Sequence, residues 1–150
     1  MATTVTDANL TVTITDNVTL NSQTYGNTNT LSVASIDEVY QRVVSLPIGA
    51  FTSLFELGTL GKGSLTAANV KYFRITNLDD TNYINLKLFG TDSAVFKLEA
   101  GKSFIMGGVA FDAIASADIA QGAVVYQTGL VVSGEAVTDI VDVEVFAAAV

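Results

Sequence analysis

Val70-Lys-Tyr-Phe-Arg-Ile-Thr-Asn77, Leu78-Asp-Asp-Thr-Asn82 and Tyr83-Ile-Asn-Leu-Lys-Leu-Phe89 are consecutive and carry the strongest structural signal in the chain. The first and third pieces are rich in β-branched and aromatic residues, which suit a pleated, half-buried surface, while the middle piece is made of turn formers. In the third piece Ile84, Leu86 and Leu88 fall on one face, and Tyr83, Asn85, Lys87 and Phe89 on the other, because side chains alternate along a strand. Together the three pieces predict a β-hairpin.

The same period-two pattern extends outward from that core. Ala94-Val-Phe-Lys-Leu98 reads as a short strand, Glu99-Ala-Gly-Lys102 as a tight turn, and Ser103-Phe-Ile-Met106 as the next strand, with Gly107-Gly108 marking a bulge or corner. Farther on, Val124–Thr128, Leu130–Val132 and a long final strand from Val137 to Phe146 are expected, the last with Val141, Val143 and Val145 inward and Asp142 and Glu144 outward. Toward the N-terminus, Leu10, Val12 and Ile14 alternate with threonines. Asp16-Asn17 supplies a turn, Val18–Tyr25 a return, and Tyr25–Thr30 a polar loop. Phe51–Leu57 is a strand closed by a glycine-rich turn, Gly58-Thr-Leu-Gly-Lys-Gly63, whose spacing fits neither a Walker loop nor a dinucleotide fingerprint. One stretch supports two readings. Ile36, Val39, Tyr40, Val43 and Val44 have helical spacing, but β-branched content and the closing Pro47 favour a strand over Ile36–Leu46.

Many short strands with turn signals every eight to twelve residues or so point to an all-β fold, an antiparallel β-sandwich or a jelly-roll-like barrel. At 150 residues the chain suits one domain, 10–150, preceded by a flexible N-terminal arm over residues 1–9. Apolar residues make up 49% and charged ones 15%, so the surface is short of charge. Either neighbouring subunits cover part of it, or threonine and asparagine coat a well-filled core.

Composition also excludes chemistry. The chain has no His and no Cys, so a Ser-His-Asp triad, a thiolate nucleophile, a disulfide and the usual zinc and haem ligands are impossible. Carboxylates remain. Asp79-Asp80 and Asp37-Glu38 are adjacent, so they point apart on a strand or are solvated on a turn, whereas Asp142 and Glu144 share a face that a hard cation could weakly bind; no EF-hand spacing is present. The expectation is no catalytic residue, no cofactor and no metal. No basic n-region precedes an apolar stretch, no apolar run reaches the ~18 residues of a membrane span, and Asn9-Leu-Thr and Asn17-Val-Thr read as chance glycosylation patterns.

Net charge is −8, and it is unevenly placed. Lys71, Arg74, Lys87, Lys97 and Lys102 crowd the middle, while everything after Lys102 is acidic: Asp112, Asp118, Glu135, Asp139, Asp142 and Glu144. An acidic C-terminal third repels phosphate backbones, so nucleic acid is not an expected partner. It suits a basic partner surface instead, or simple solubility. The expected interface is Val137, Ile140, Asp142, Glu144, Phe146 and Val150, with the end Ala147–Val150 packing on a neighbour and Ala2–Asn9 ordering on binding. The five tyrosines and eight phenylalanines are assigned to core or interface, and Tyr83 with Asn82 and Asn85 is the best candidate for a carbohydrate contact.

Tyr72-Phe-Arg-Ile-Thr-Asn-Leu-Asp-Asp-Thr-Asn-Tyr-Ile-Asn-Leu-Lys-Leu88 followed by Ala94-Val-Phe-Lys-Leu-Glu-Ala-Gly-Lys-Ser-Phe-Ile-Met106 resembles a module common in virion proteins of tailed bacteriophages. There the pattern runs roughly aromatic-x-Arg-Ile-x-Asn-x-Asp-x-Thr-Asn, a strand, then Leu-x-Pro/Ala-Gly-Glu/Lys-Ser-Phe. Ala100 stands where proline is frequent and Lys102 where glutamate is frequent. The resemblance implies a non-enzymatic β-sandwich in the virion, made in the host cytoplasm. It would be a capsid decoration or cement subunit contacting the major capsid protein or other virion proteins, a homo-oligomer with no membrane partner. A tail or neck subunit is the near alternative, and a carbohydrate-binding β-sandwich the alternative of another class.

Overall fold

The computed structural model describes residues 6–57, 64–66, 68–89, 93–108, 115–118, 123–126 and 130–150, and every regular element among them is a strand. The chain runs through a ribbon first: β1 (Ala8–Thr15), β2 (Val18–Leu20), β3 (Gln23–Tyr25) and β4 (Thr28–Ile36). It continues through β5 (Glu38–Leu46), β6 (Thr52–Leu57), β7 (Ser64–Leu65), β8 (Val70–Asn77), β9 (Ile84–Phe89), β10 (Ser93–Leu98) and β11 (Ser103–Gly107). It ends with β12 (Ala115–Asp118), β13 (Ala123–Tyr126), β14 (Leu130–Ala136) and β15 (Val141–Ala149). One sheet has the order β10-β9-β14-β6-β7 and the other β11-β8-β15-β5. Pairing is antiparallel throughout both sheets except at the short β6–β7 contact. The two sheets pack face to face as an antiparallel β-sandwich, and among the described residues β12 and β13 pair with each other as a separate two-stranded sheet.

The core is the set of inward positions that alternation singles out. Val141, Val143 and Val145 of β15 meet Ile84 and Leu86 of β9, Phe73 and Ile75 of β8, and Leu46 of β5, all fully buried. Each such side chain contributes roughly 1.5–3 kcal/mol by leaving water. Phe55 packs edge-on against Phe73, centroids 5.0 Å apart at 71°. In β6 alternation breaks for a visible reason. The β14–β6 register skips a residue between Val132–Phe55 and Ser133–Ser53, so Leu54 has no partner across the ladder and the consecutive Leu54 and Phe55 are both buried.

The stretch with two readings is a strand. β5 pairs along its whole length with β15, from Glu38–Ala149 to Leu46–Val141. Tyr40 and Val44 pack on the core while Val39 and Val43 are exposed. The helical spacing of 36–46 is incidental, because nine ladder positions on a central neighbour outweigh a weak local preference.

The Val70–Phe89 hairpin needs correction. β8 and β9 lie in different sheets, and so do β10 and β11. The turn-rich pieces Leu78–Asn82 and Glu99–Lys102 are therefore corners that carry the chain across the sandwich. Asn77 explains how both are held. It is fully buried; its backbone N–H donates to Lys102 O (2.9 Å), and its Nδ2 donates to Asn82 O (2.9 Å) and Leu98 O (3.3 Å). Its Oδ1 accepts from Asp79 N (3.0 Å). Asp79 then accepts from the backbone N–H of Thr81 (2.7 Å) and Asn82 (2.6 Å), bonds that hold its carboxyl below its ordinary pKa, Asn82 contributing most. A turn sequence specifies a reversal of direction, and whether the two strands then pair or part depends on such side-chain bonds.

The final strand also differs from expectation. It spans Val141–Ala149, not Val137–Phe146, and it is central, flanked by β8 and β5. Ala147, Ala148 and Ala149 are buried within their own chain, and Val150 N donates to Asn69 O (3.0 Å). Ala147–Ala149 are therefore part of the fold's own core, since a central strand has both ladders and its inner face already filled. The expected turn over 58–63 lies outside the described residues, as do residues 127–129.

Candidate assembly surface

Residues 8–36 form a single two-stranded ribbon. Leu10 faces Val33, Val12 faces Leu31, Val18 faces Tyr25 and Leu20 faces Gln23, all in one unbroken register. The turn expected at Asp16-Asn17 is not there. Reversal occurs at Asn21-Ser22, whose φ values of 51° and 64° are the positive pair of a type I′ turn, the turn that matches strand twist. The expected loop Tyr25–Thr30 is instead part of the returning strand, with an irregularity at Gly26. There Asp16 N donates to Asn27 O (2.9 Å), φ is 141°, and a Cβ would collide with the Asp16 carbonyl. The strand begins at Ala8, so Ala8 of the expected arm is paired, with Ile36, and Asn9 sits at a register shift before Leu10; residues 1–5 lie outside the described residues.

The ribbon has two unlike faces. Thr11, Thr13 and Thr15 line one with Ser32, Thr30 and Thr28; Leu10, Val12 and Ile14 line the other with Val33 and Leu31. The apolar face meets the sandwich over the outer surface of the β11-β8-β15-β5 sheet. Leu31 sits against Tyr72 and Gly107, so close that a Cβ on Gly107 would lie 2.8 Å from Tyr72 Cδ2 and 3.0 Å from Leu31 Cδ2. Tyr72 is buried although it points outward, and a cleft remains between Val12, Ile14 and Leu31 above and Tyr72 and Ile105 below. Beyond this seat the ribbon is exposed along its length, with Val18 and Leu20 at 60% and Tyr25 at 54%. Residues 17–36 contain no charged side chain, the longest such run in the chain.

The expected interface residues do not form one surface. Asp142, Glu144 and Phe146 make a column on the outer face of β15, Ile140 lies exposed just before that strand, and Val137 is half-buried in the connection leading to it, while Val150 is at the strand's far end. The acidic pair is used internally. Ser45 donates to Asp142, and Glu144 accepts from Gln41 Nε2 (2.8 Å) and Arg74 Nη2 (2.6 Å), which lower its pKa from the ordinary 4.5, Gln41 first. The Arg74 guanidinium also stacks over Phe146 at 5.8 Å, and Tyr72 meets Phe146 edge-on at 6.0 Å. Asp142 and Glu144 share a face as expected, each engaged by a neighbour; among the described residues no three acidic side chains converge.

The residues of the carbohydrate candidate each have a neighbour within the chain. Lys97 Nζ lies 4.1 Å from the centre of the Tyr83 ring, Asn85 Nδ2 donates to Glu135 (3.3 Å), and the Asn82 carbonyl belongs to the Asn77 corner. The ribbon's reversal lies five residues beyond the expected Asp16-Asn17 turn, at Asn21-Ser22, which are two ordinary polar residues. The mirrored order of apolar positions about Asn21-Ser22 was the available signal. No protein-family model matches the chain, and no curated protein is similar to it.

Proposed function

We propose that this chain is a non-enzymatic structural subunit that works by contact with other proteins. The carrying observation is the ribbon: an apolar-faced projection, uncharged from residue 17 to 36, from a sandwich whose own core is complete without it. An isolated two-stranded ribbon is at best marginally stable in water, and exposed apolar surface on a soluble domain marks an interaction site. The residues that resemble the phage virion module, Asn77, Asp79, Thr81 and Asn82, all serve the corner between sheets, a role of shape and not of chemistry.

Within that class the reading is a capsid decoration or cement subunit of a tailed-phage head, bound to the major capsid protein. A tail or neck position uses the same contact chemistry. Mass spectrometry and electron microscopy of virions purified from the source phage test the proposal: the chain should be present in stoichiometric amount, and density for the sandwich should lie on the head. Density on the tail moves the subunit there; absence from purified virions rejects the reading.

A further inference from the structure

We infer that Asn21 is a modification site: its side-chain amide is lost through a succinimide formed with the Ser22 backbone nitrogen, leaving aspartate or isoaspartate at the ribbon tip. Sequence singles it out first. Of the nine asparagines, eight precede Leu, Val, Thr or Tyr, whose branched or bulky side chains crowd the attacking amide nitrogen; Asn21 alone precedes a small residue, Ser22. Structure singles it out again. Asn77 is fully buried with both ends of its amide bonded, Asn27 accepts from Thr28 N (2.9 Å) and Asn85 donates to Glu135 (3.3 Å). Asn21 is exposed, and its side chain has no hydrogen bond among the described residues.

Little holds the tip shut. Behind the turn stand the facing pairs Leu20–Gln23, Thr19–Thr24 and Val18–Tyr25, all exposed, with one cross-strand side-chain contact, the Thr19 and Thr24 hydroxyls at 3.4 Å. Such a segment opens locally at small cost in free energy. Opening matters because the left-handed conformation of Asn21, φ 51°, turns the Ser22 nitrogen away from the side-chain carbon, so the ring closes from the opened tip. The atoms balance with water as the one co-reactant. The Ser22 nitrogen bonds to Asn21 Cγ, the Cγ–Nδ2 bond breaks, and Nδ2 leaves as ammonia carrying the proton from Ser22 N. Water then opens the ring at Cγ, giving aspartate, or at the Asn21 backbone carbonyl carbon, giving isoaspartate, whose main chain is one carbon longer. Either product puts a carboxylate into the run 17–36, which has none. Isoaspartate also breaks the Leu20–Gln23 register, because a two-residue turn has no room for an extra backbone atom. On the contact reading above this spoils the tip as an apolar surface, but the chemistry itself does not depend on that reading.

The test uses the isolated full chain, so its failure and absence from virions are separate results. After prolonged incubation at mildly alkaline pH, peptide mapping by mass spectrometry should find the mass gain of an amide turned acid at Asn21 ahead of every other asparagine. Labelling by a protein isoaspartyl methyltransferase should mark the same peptide, and Asn21→Gln should lose both signals, because the longer side chain closes its ring far more slowly. The chain has no cysteine, so Thr19→Cys with Thr24→Cys introduces a single disulfide across a facing pair and locks the tip shut. Oxidised, that variant should modify Asn21 at least several-fold more slowly than the same variant reduced. An Asn21 that stays intact, or that reacts no sooner than another asparagine, overturns the inference, and so does an equal rate in the oxidised and reduced variant. Should the disulfide not form, the wild-type peptide map decides by itself.

Discussion

β1 and β15 carry the same local pattern and have opposite fates. Leu10, Val12 and Ile14 alternate with threonines much as Val141, Val143 and Val145 alternate with Asp142 and Glu144. In β15 every apolar member is fully buried, whereas in β1 Leu10 and Val12 are half-covered and Ile14 is 46% exposed. Alternation distinguishes the two faces of a strand. It does not say whether a second layer exists to cover the apolar one. In β15 that layer is the facing sheet; over most of the ribbon none of the described residues supplies it, which is why the ribbon reads as a contact surface.

The contrast can be broken most forcefully at β15. Removing residues 147–150 takes buried alanines out of a central strand, and the cooperative melting transition should disappear. Deleting residues 10–33 instead, with the ends rejoined by a short linker, should leave that transition in place. Next is Asn77→Ala, which strands Asp79 N and the carbonyls of Asn82 and Leu98 at both corners. Denaturant unfolding should show a loss of about 2–4 kcal/mol.

Two glycines sharpen the comparison. At Gly134 a Cβ would lie 2.6 Å from Leu46 Cδ1 in the packed core, and at Gly107 it would press on Tyr72 and Leu31. Gly134→Ala should destabilise the whole domain by about 1–3 kcal/mol. Gly107→Ala should mainly lift the ribbon, seen as faster hydrogen exchange over residues 8–36 with a smaller change in melting.

Acidification probes the charged column on β15. Glu144 has a lowered folded pKa, so its contribution is complete above about 4.5 and is lost as pH falls through the lower folded value. Wild type should therefore lose more melting temperature than Glu144→Gln below that pH, with no difference in slope near neutrality. The smallest effect belongs to the tip. Leu20→Thr should shift monomer stability by less than about 0.5 kcal/mol, because Leu20 is mostly exposed.

Much of the sandwich could be read in advance. The strand positions of β6, β9, β10 and β11, the inward set Ile84, Leu86 and Leu88, and the inward valines of β15 all follow from period two. Pairing did not follow, and the corner at Leu78–Asn82 shows why: a cluster of Asp, Asn and Thr reverses the chain equally well within a sheet or between sheets. The site was less legible than the fold. Asp142 and Glu144 lie on the outer face as alternation says, yet their partners Ser45, Gln41 and Arg74 come from other strands and engage them. No spacing along β15 could indicate that.

The order of residues alone determined that this chain is a pleated, disulfide-free β protein without imidazole or thiolate chemistry, because alternation and composition are local properties that no partner can alter. Only the tertiary structure decided which strands share a sheet, that the alanine-rich end is core, and that residues 8–36 project beyond it. Those outcomes depend on which surfaces compete to cover which, and that competition is settled among residues far apart in the chain.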